Sequence, residues 1–573
     1  MERRKRLNIS RILGCNLEEP TIVIYCHLCG VSFNIARSRR VDEPFTAAWD
    51  YTGNHLGADD EILWEDCAEK GCSYAVLPGN NEQDDDLVND PDYLPREETM
   101  HEPYEYVSDY ESTDDKMLEE PEEDTTEEND EDNIENQWYS DWLSSFPPPE
   151  EASGEPIWTL DTAPKNHIIL PVPENGEVPE SSVWEPVEHI AGPDCSEVNA
   201  YSGRKISLEE MRGCRTAQCL IHKGSCGRWQ PDGLEQDWER SGDFFLSGLC
   251  DGMPSRDMGG PTVFPPRGGI DGPRVENIVW DNYEDPTVYS IPFHPWCFDI
   301  YSRQAKCHFN HLNLNGLMKW RNTESTFEDF HEFPRWGEVM CAQEQFWSHN
   351  AGCEFLVANP LYIPKLPSIL LAAVKDNNDF SPQNGAFDLH QTTERDAMLL
   401  DLMQCSTDPL LALPREIRLM IVKSLGSRDI ANLRLASRAF QQLPVSVWYR
   451  LIREEMPWLW EAWDESECVH TPSLWTAVTA DEVEMIYKIR EHQIKVVTEE
   501  YQTGELDPNV IDEMVRWPPA VPHQIKLPRA KTNWYEVYTE IKRNWGELKG
   551  LKNRMRIWED VEEIIGRIKK YQT

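Results

Sequence analysis

The sequence predicts a multidomain α+β protein: a small Cys-rich N-terminal unit, a mixed central domain, a three-helix module and a helical C-terminal region. Three observations lead there. Cysteines fall in close pairs near the start, one long acidic tract has almost no basic residue, and apolar residues recur at helical spacing mainly toward the end of the chain. A chain of 573 residues has room for about two to four domains.

Residues 1–80 read as the Cys-rich unit. Thr21–Tyr25 is β-rich, CHLCG at 26–30 is a turn, and Cys67 and Cys72 follow a segment containing Trp49, Tyr51 and Trp64. Two thiolates around a turn can converge on one tetrahedral ion, so Cys26, Cys29, Cys67 and Cys72 are candidate ligands of a structural zinc. His27, between the first two, is a poor ligand. The competing expectation is that these are unpaired thiols, some of them in a core; a redox CxxC lacks a thioredoxin-like βαβ setting.

Residues 81–180 are expected to be a disordered linker. The net charge is −49, and roughly half of that excess lies between Glu82 and Glu150, with its DDD, EEP, EED and EEND runs. Like charges with few apolar residues cannot offset the entropy of ordering. Trp138, Tyr139, Trp142 and Phe146 are isolated aromatics that suit either a short docking motif or plain linker, and 151–180 is proline-rich.

The central domain, 181–401, begins near Trp184 and is rich in Trp, Phe, Cys, Gly and Pro. ISLEEMRGCRTAQCLIHK predicts a helix, with Ser207 as cap and Glu210 completing an S-x-x-E box. Cys214, Cys219, His222 and Cys226 match no standard zinc spacing and are expected to be packed thiols. In IPFHPWCFDIYSRQ, His294 and Cys297 follow a Pro-containing turn and precede a helix. That pair can support metal binding or thiol chemistry, but no orienting group is visible, and a structural role is expected. Cys307, His308, Cys341 and Cys353 form no coherent pattern.

Residues 409–452 carry the three-helix module. Ile417, Met420, Ile421, Ser424 and Leu425 recur at three-to-four spacing after Leu413-Pro414, where proline suits a first turn. Gly426 ends that helix, and Ser427 or Asp429 can cap the next. Ile430, Leu433, Leu435, Ala436 and Phe440 make its apolar face. Pro444 breaks it, Val445, Trp448, Leu451 and Ile452 begin a third helix, and Pro457 limits that one. Some forty residues bury too little surface to stand comfortably alone.

LPxEIxxxI, an Asp-containing turn and LRLASRxF, in that order, resemble the F-box family across the whole module. CHLCGVSFNIAR, EEMRGCRTAQCL, LSGLCDGMPSRD at Leu246–Asp257 and FHPWCFDIY extend the resemblance to a group of fungal F-box proteins. It implies a substrate receptor of an SCF-type cullin-RING ubiquitin ligase, with the box docked on a Skp-family adaptor and the rest of the chain holding an unnamed protein target. By the same resemblance, Leu413, Pro414, Glu416, Ile417, Ile421 and Leu425 are first-helix contact positions, and Leu433, Leu435 and Phe440 second-helix ones. Some of these must serve the internal core instead. Catalysis would then belong to a ligase partner and not to this chain.

Residues 453–573 are expected to be mainly helical. Trp458, Trp460 and Trp463 suit a packed core better than a ligand groove. Asp481–Thr498 is a plausible helix, Pro518, Pro519 and Pro522 interrupt, and Trp534–Ile568 reads as one or two terminal helices, mildly basic.

The acidic balance argues against a nucleic-acid or anionic-membrane partner. No apolar run spans a bilayer, and MERRKRLNIS lacks the apolar stretch of a secretory signal. The expectation is therefore cytoplasmic and/or nuclear, with Arg3–Arg6 a short basic cluster. No phosphate-binding glycine loop, nucleophile elbow or HExxH occurs, so no enzyme is expected. The alternatives are an adaptor-bound structural or regulatory protein outside the ligase, or an enzyme of unrecognised type.

Overall fold

In the computed structural model, the strands among the described residues are short, each spanning two to seven residues. The model describes residues 25–33, 35–49, 64–76, 168–179, 187–195, 200–225, 234–251, 291–324, 332–339, 351–375, 408–463, 470–480 and 524–572, with 229, 231, 263–264, 267, 275–276, 387 and 482–483. All belong to one unit, Met1–Leu77 with Thr162–Thr573. Outside the described residues lie Arg3–Arg6, Tyr51, the Glu82–Glu150 tract with its four aromatics, Trp184, Cys226, Cys341, nearly all of Asp481–Thr498, and Pro518, Pro519 and Pro522.

The protein is a mixed α/β structure with several small sheets. Strand β1 (Arg37–Ser38) is followed by helix α1 (Trp64–Glu69) and β2 (Ser73–Val76). Next come β3 (Ile168–Pro171), β4 (Val187–Ile190) and β5 (Tyr201–Ser202). β2 is the middle of an antiparallel sheet ordered β3-β2-β4, and β1 pairs in parallel with β5. Segments near the start are therefore stitched by backbone hydrogen bonds to segments beyond residue 167.

A second sheet is built on β6 (Thr216–His222), whose first six residues are buried. Thr216–Cys219 alternates polar and apolar residues as a half-exposed strand would, yet Thr216 and Gln218 are buried as well. It is followed by α2 (Asp237–Ser241), β7 (Phe244–Leu246), β8 (Cys250–Asp251), β9 (Val263–Phe264), β10 (Val275–Glu276) and β11 (Ile291–Phe293). β7, β8 and β11 all pair antiparallel with β6.

This sheet corrects the helix expected from Ser207 onward. The capping-box contacts do form: Ser207 N–H donates to Glu210 Oε2 at 2.9 Å, and Glu210 N–H to Ser207 Oγ at 3.2 Å. They close a turn instead. Gly213, at φ +76°, then directs the chain into β6, where partners on both sides satisfy its backbone and tertiary pairing overrides the local signal.

Helix α3 (Pro295–Phe309) starts directly after β11, with Pro295 at its first position, and ends at Asn310 in the left-handed region, φ 62°. α4 (Leu314–Thr323) and α5 (Leu366–Ala372) follow, then α6 (Arg415–Lys423), α7 (Ser427–Ala436) and α8 (Val445–Glu455), which are the three expected module helices. Arg450 of α8 donates to the carbonyls of Val422 (3.1 Å) and Leu425 (2.8 Å), capping the end of α6. α9 (Trp534–Arg543) and α10 (Lys549–Gln572) end the chain, giving two terminal helices where one or two were expected.

α10 organises the core. Its buried residues recur at three-to-four spacing from Leu551 to Ile568 and pack on α3 and α4. The post-module tryptophans are core, as their spacing suggested. Trp460 and Trp463 meet Trp558, Trp458 meets Trp545, and the Arg554 guanidinium lies 3.8 Å over Trp460 while pairing with Glu461 at 2.9 Å. Gly550 lets the first turn of α10 approach residue 359 closely. An added Cβ would stand 2.2 Å from the Asn359 carbonyl oxygen, so Gly550→Ala is expected to destabilise by about 1–3 kcal/mol. A lower urea midpoint at unchanged slope is the measurement.

Candidate metal centres

β11 ends at Phe293 and α3 begins at Pro295, so His294 sits on a strand-to-helix corner and Cys297 in the first helical turn. The CHLCG turn packs against this corner. Gly30 N–H donates to the Cys26 carbonyl at 2.7 Å, Cys26 N–H to Val31 at 2.9 Å, and His27 N–H to the Pro292 carbonyl at 2.9 Å. The turn requires Gly30: its φ is +76°, and a Cβ would lie 2.6 Å from Arg335 Cδ.

The result is a wholly buried group of Cys26, Cys29, His294 and Cys297, with ligand atoms all within 4.8 Å of one another. Cys29 Sγ is 3.6 Å and Cys297 Sγ 4.0 Å from His294 Nδ1. A tetrahedral ion with metal–sulfur bonds of about 2.3 Å and metal–nitrogen bonds of about 2.0 Å needs ligand separations of roughly 3.6–3.8 Å, so these atoms can hold one with small adjustment. The opposite ring nitrogen is already committed. His294 Nε2 lies 2.9 Å from the Cys214 carbonyl, which can only accept, so Nε2 carries the proton and Nδ1 offers its lone pair to the thiols. His294 N–H also donates to Cys26 Sγ at 3.4 Å.

Electrostatics separates the three thiols. Burial pushes Cys26 and Cys297 up; hydrogen bonds with Cys26 and Cys29 reinforce this at Cys297, while at Cys26 the bond with Cys29 raises and that with Cys297 lowers. Burial would raise Cys29 too, but hydrogen bonds from Cys26 and Cys297 and the nearby His294 hold it well below the usual thiol range. Two guanidiniums clamp the turn from outside. Arg335 donates to the His27 (2.7 Å) and Leu28 (3.0 Å) carbonyls, Arg556 to that of Cys29 (2.7 Å), and both pair with Asp560.

The four N-terminal cysteines therefore do not share one centre, which corrects the expected grouping. Cys67 and Cys72 form a second buried group with His189. Cys67 Sγ lies 3.5 Å and Cys195 Sγ 3.9 Å from His189 Nε2. Burial lowers the basicity of His189, but the Cys195 and Cys72 thiols outweigh it and lift the imidazole to about 9. Each cysteine pair takes its histidine from more than a hundred residues away. The available signal was FHPWC, an HxxC echo of CxxC; HIAGPDC was the fainter one. Cys214 and Cys219 are buried core thiols, as expected.

The module's predicted contact residues divide by exposure. Pro414, Glu416, Ile417 and Leu435 are exposed, while Leu413, Ile421, Leu425 and Leu433 are half-buried. Phe440 departs from expectation. It is fully buried in the turn between α7 and α8, edge-on to Phe387 with centroids 6.3 Å apart, and so serves the core and presents no docking surface.

No family model and no solved structure matches the chain. A stretch of 73 residues is 62% identical to the ATP-dependent RNA helicase mss116, mitochondrial, of Aspergillus oryzae. It covers 12% of this chain and 12% of the helicase, a share too small to show a family or an activity. Among the described residues, no helix is long and apolar enough to cross a membrane.

Proposed function

We propose that this chain is a non-catalytic F-box substrate receptor of a cullin-RING ubiquitin ligase, its body braced by a structural zinc on Cys26, Cys29, His294 and Cys297. The observation that carries the receptor reading is the exposure pattern of 409–452. Of seven exposed large hydrophobic residues among those described, three fall in this short module: Ile417 (41%), Met420 (65%) and Leu435 (89%). Large apolar side chains held in water on two successive short helices suit a partner groove. The opposite side, with Val422, Ile430, Phe440, Leu451 and Ile452, belongs to the main core, so the docking helices are held on a rigid body. Zinc suits the first centre because three sulfurs and one imidazole nitrogen are a common closed structural set.

Catalysis falls to the recruited ligase, and the large body upstream of the module presents the target. The test is co-purification from cells. Adaptor together with cullin supports the receptor; adaptor alone supports a role outside the ligase; neither counts against the box. Leu435→Asp combined with Ile417→Asp is expected to weaken adaptor binding by about 2 kcal/mol or more, roughly thirty-fold in Kd. Because both side chains are exposed, melting temperature should hardly change, and unchanged binding by the folded variant would exclude this surface.

A further inference from the structure

We propose that Cys67, Cys72, His189 and Cys195 form a second structural zinc site that closes the chain across residues 77–167: the ligand atoms of Cys67, Cys72 and His189 lie within 4.8 Å of one another, and Cys195, outside that group but 3.9 Å from His189 Nε2, completes a Cys3His set by moving toward the other two sulfurs. Three observations bear on it. Cys67 and Cys72 bracket a tight turn in which Cys72 N–H donates to the Cys67 carbonyl at 3.1 Å and Gly71 takes φ +68°. This turn meets the His189–Cys195 loop backbone to backbone: a Cβ on Gly192 would lie 2.3 Å from the Gly71 carbonyl carbon, and Asp194 N–H reaches the Lys70 carbonyl at 3.4 Å. Gly192 N–H donates to Cys72 Sγ at 3.4 Å, the kind of bond that stabilises a sulfur carrying negative charge.

His189 Nε2 faces the sulfurs, at 3.5 Å from Cys67 and 3.9 Å from Cys195, close to the ligand separations of about 3.6 Å that a tetrahedral ion imposes. The ring is held edge-on against Trp64, with centroids 5.6 Å apart.

The surrounding core argues in the same direction. Its fully buried members are Cys67, Cys72, Tyr74, Val172, Val187, Ala191 and Cys195. Three of these seven are the sulfur ligands, so the apolar burial left over is four buried side chains and the partly buried Trp64, Ala68, Val76 and Val178 around a sheet of four-residue strands. So small an apolar cluster draws little stability from its own packing, and small cores of this kind are completed by metals or disulfides. A disulfide can use only two of the three thiols and leaves the histidine unemployed; zinc uses all four groups. Since two ligands precede residue 77 and two follow residue 167, the ion joins the ends of the intervening segment whatever conformation that segment takes.

The site is independent of the first centre, and the test keeps them apart. Full-length protein purified without chelator is expected to hold two zinc ions per chain by elemental analysis. Cys72→Ser and Cys195→Ser should each reduce this to one, Cys297→Ser should also leave one, and Cys72→Ser with Cys297→Ser none. Should a variant fail to fold, cobalt titration of the unchanged apoprotein gives the answer: sulfur-to-cobalt absorption rising to two equivalents supports the proposal. One zinc in the unchanged protein that Cys297→Ser abolishes, or two zincs retained in Cys195→Ser, would overturn it.

Discussion

Full-length protein carrying Cys297→Ser is expected to melt about 5 °C below the unchanged chain and to lose one metal ion. Structural zinc contributes roughly 10–16 kcal/mol of binding free energy, and where the apo site is not preformed that energy is folding energy. Loss of one ligand from four forfeits about 3–5 kcal/mol of it, at roughly 1–2 °C per kcal/mol in a unit of this size. The geometry makes Cys297 the sharpest probe. It stands in the first turn of α3 and is far in sequence from the turn it would bind. Differential scanning calorimetry with and without a strong chelator is the measurement. If chelator and substitution both leave the transition in place, the cluster is a set of packed thiols. Cys219→Ser, a buried core thiol outside both groups, should keep both metal ions and the full response to chelator, and so controls for simple core damage.

The second large effect is expected at Asp560, a cost of about 3–5 kcal/mol for Asp560→Ala. Its Oδ2 lies 3.3 Å from Arg335 Nη1 and 3.2 Å from Arg556 Nη1, and all three side chains are essentially excluded from water. Burial would lower Arg556, but the neighbouring Cys29 and Asp560 outweigh it and hold the guanidinium above its ordinary value. Removing the carboxylate leaves two like charges facing each other in a low-dielectric setting, where neither can neutralise. Both guanidiniums hold carbonyls of the CHLCG turn, so the loss should reach the first metal centre as well. Zinc release by Asp560→Ala should therefore be faster than from unchanged protein, followed with a colorimetric chelator, alongside a lowered urea midpoint. A midpoint within experimental error of the unchanged chain would refute the brace.

The proposed docking face and the metal centres differ in how far the chain itself disclosed them. In 409–452 the apolar residues lie three or four apart, with Pro414, Gly426 and Pro444 at the boundaries, so helix positions followed from local spacing. Which apolar residues face water did not follow. Phe440 and Leu435 are both large apolar residues in one short segment, yet one is wholly buried and the other 89% exposed, because burial depends on which side Phe387 and α8 approach.

The sequence by itself determined the helical module, the terminal helices from Trp534, the packed tryptophans after the module, and the cysteine types suited to a soft metal. Each of these rests on periodicity or residue chemistry within a few turns of chain. Only the tertiary structure decided that Ser207–Glu210 closes a turn before a strand, and that Cys26 and Cys29 meet His294 and Cys297 while Cys67 and Cys72 meet His189. The physical reason is that ligand convergence is set by backbone pairing across long separations. The His27 N–H to Pro292 carbonyl bond joins the first turn to the FHPWC corner at the end of β11, and β4 on β2 brings His189 to the second. Loop-closure entropy grows only slowly with length, so proximity in sequence is a weak guide to which cysteines share an ion.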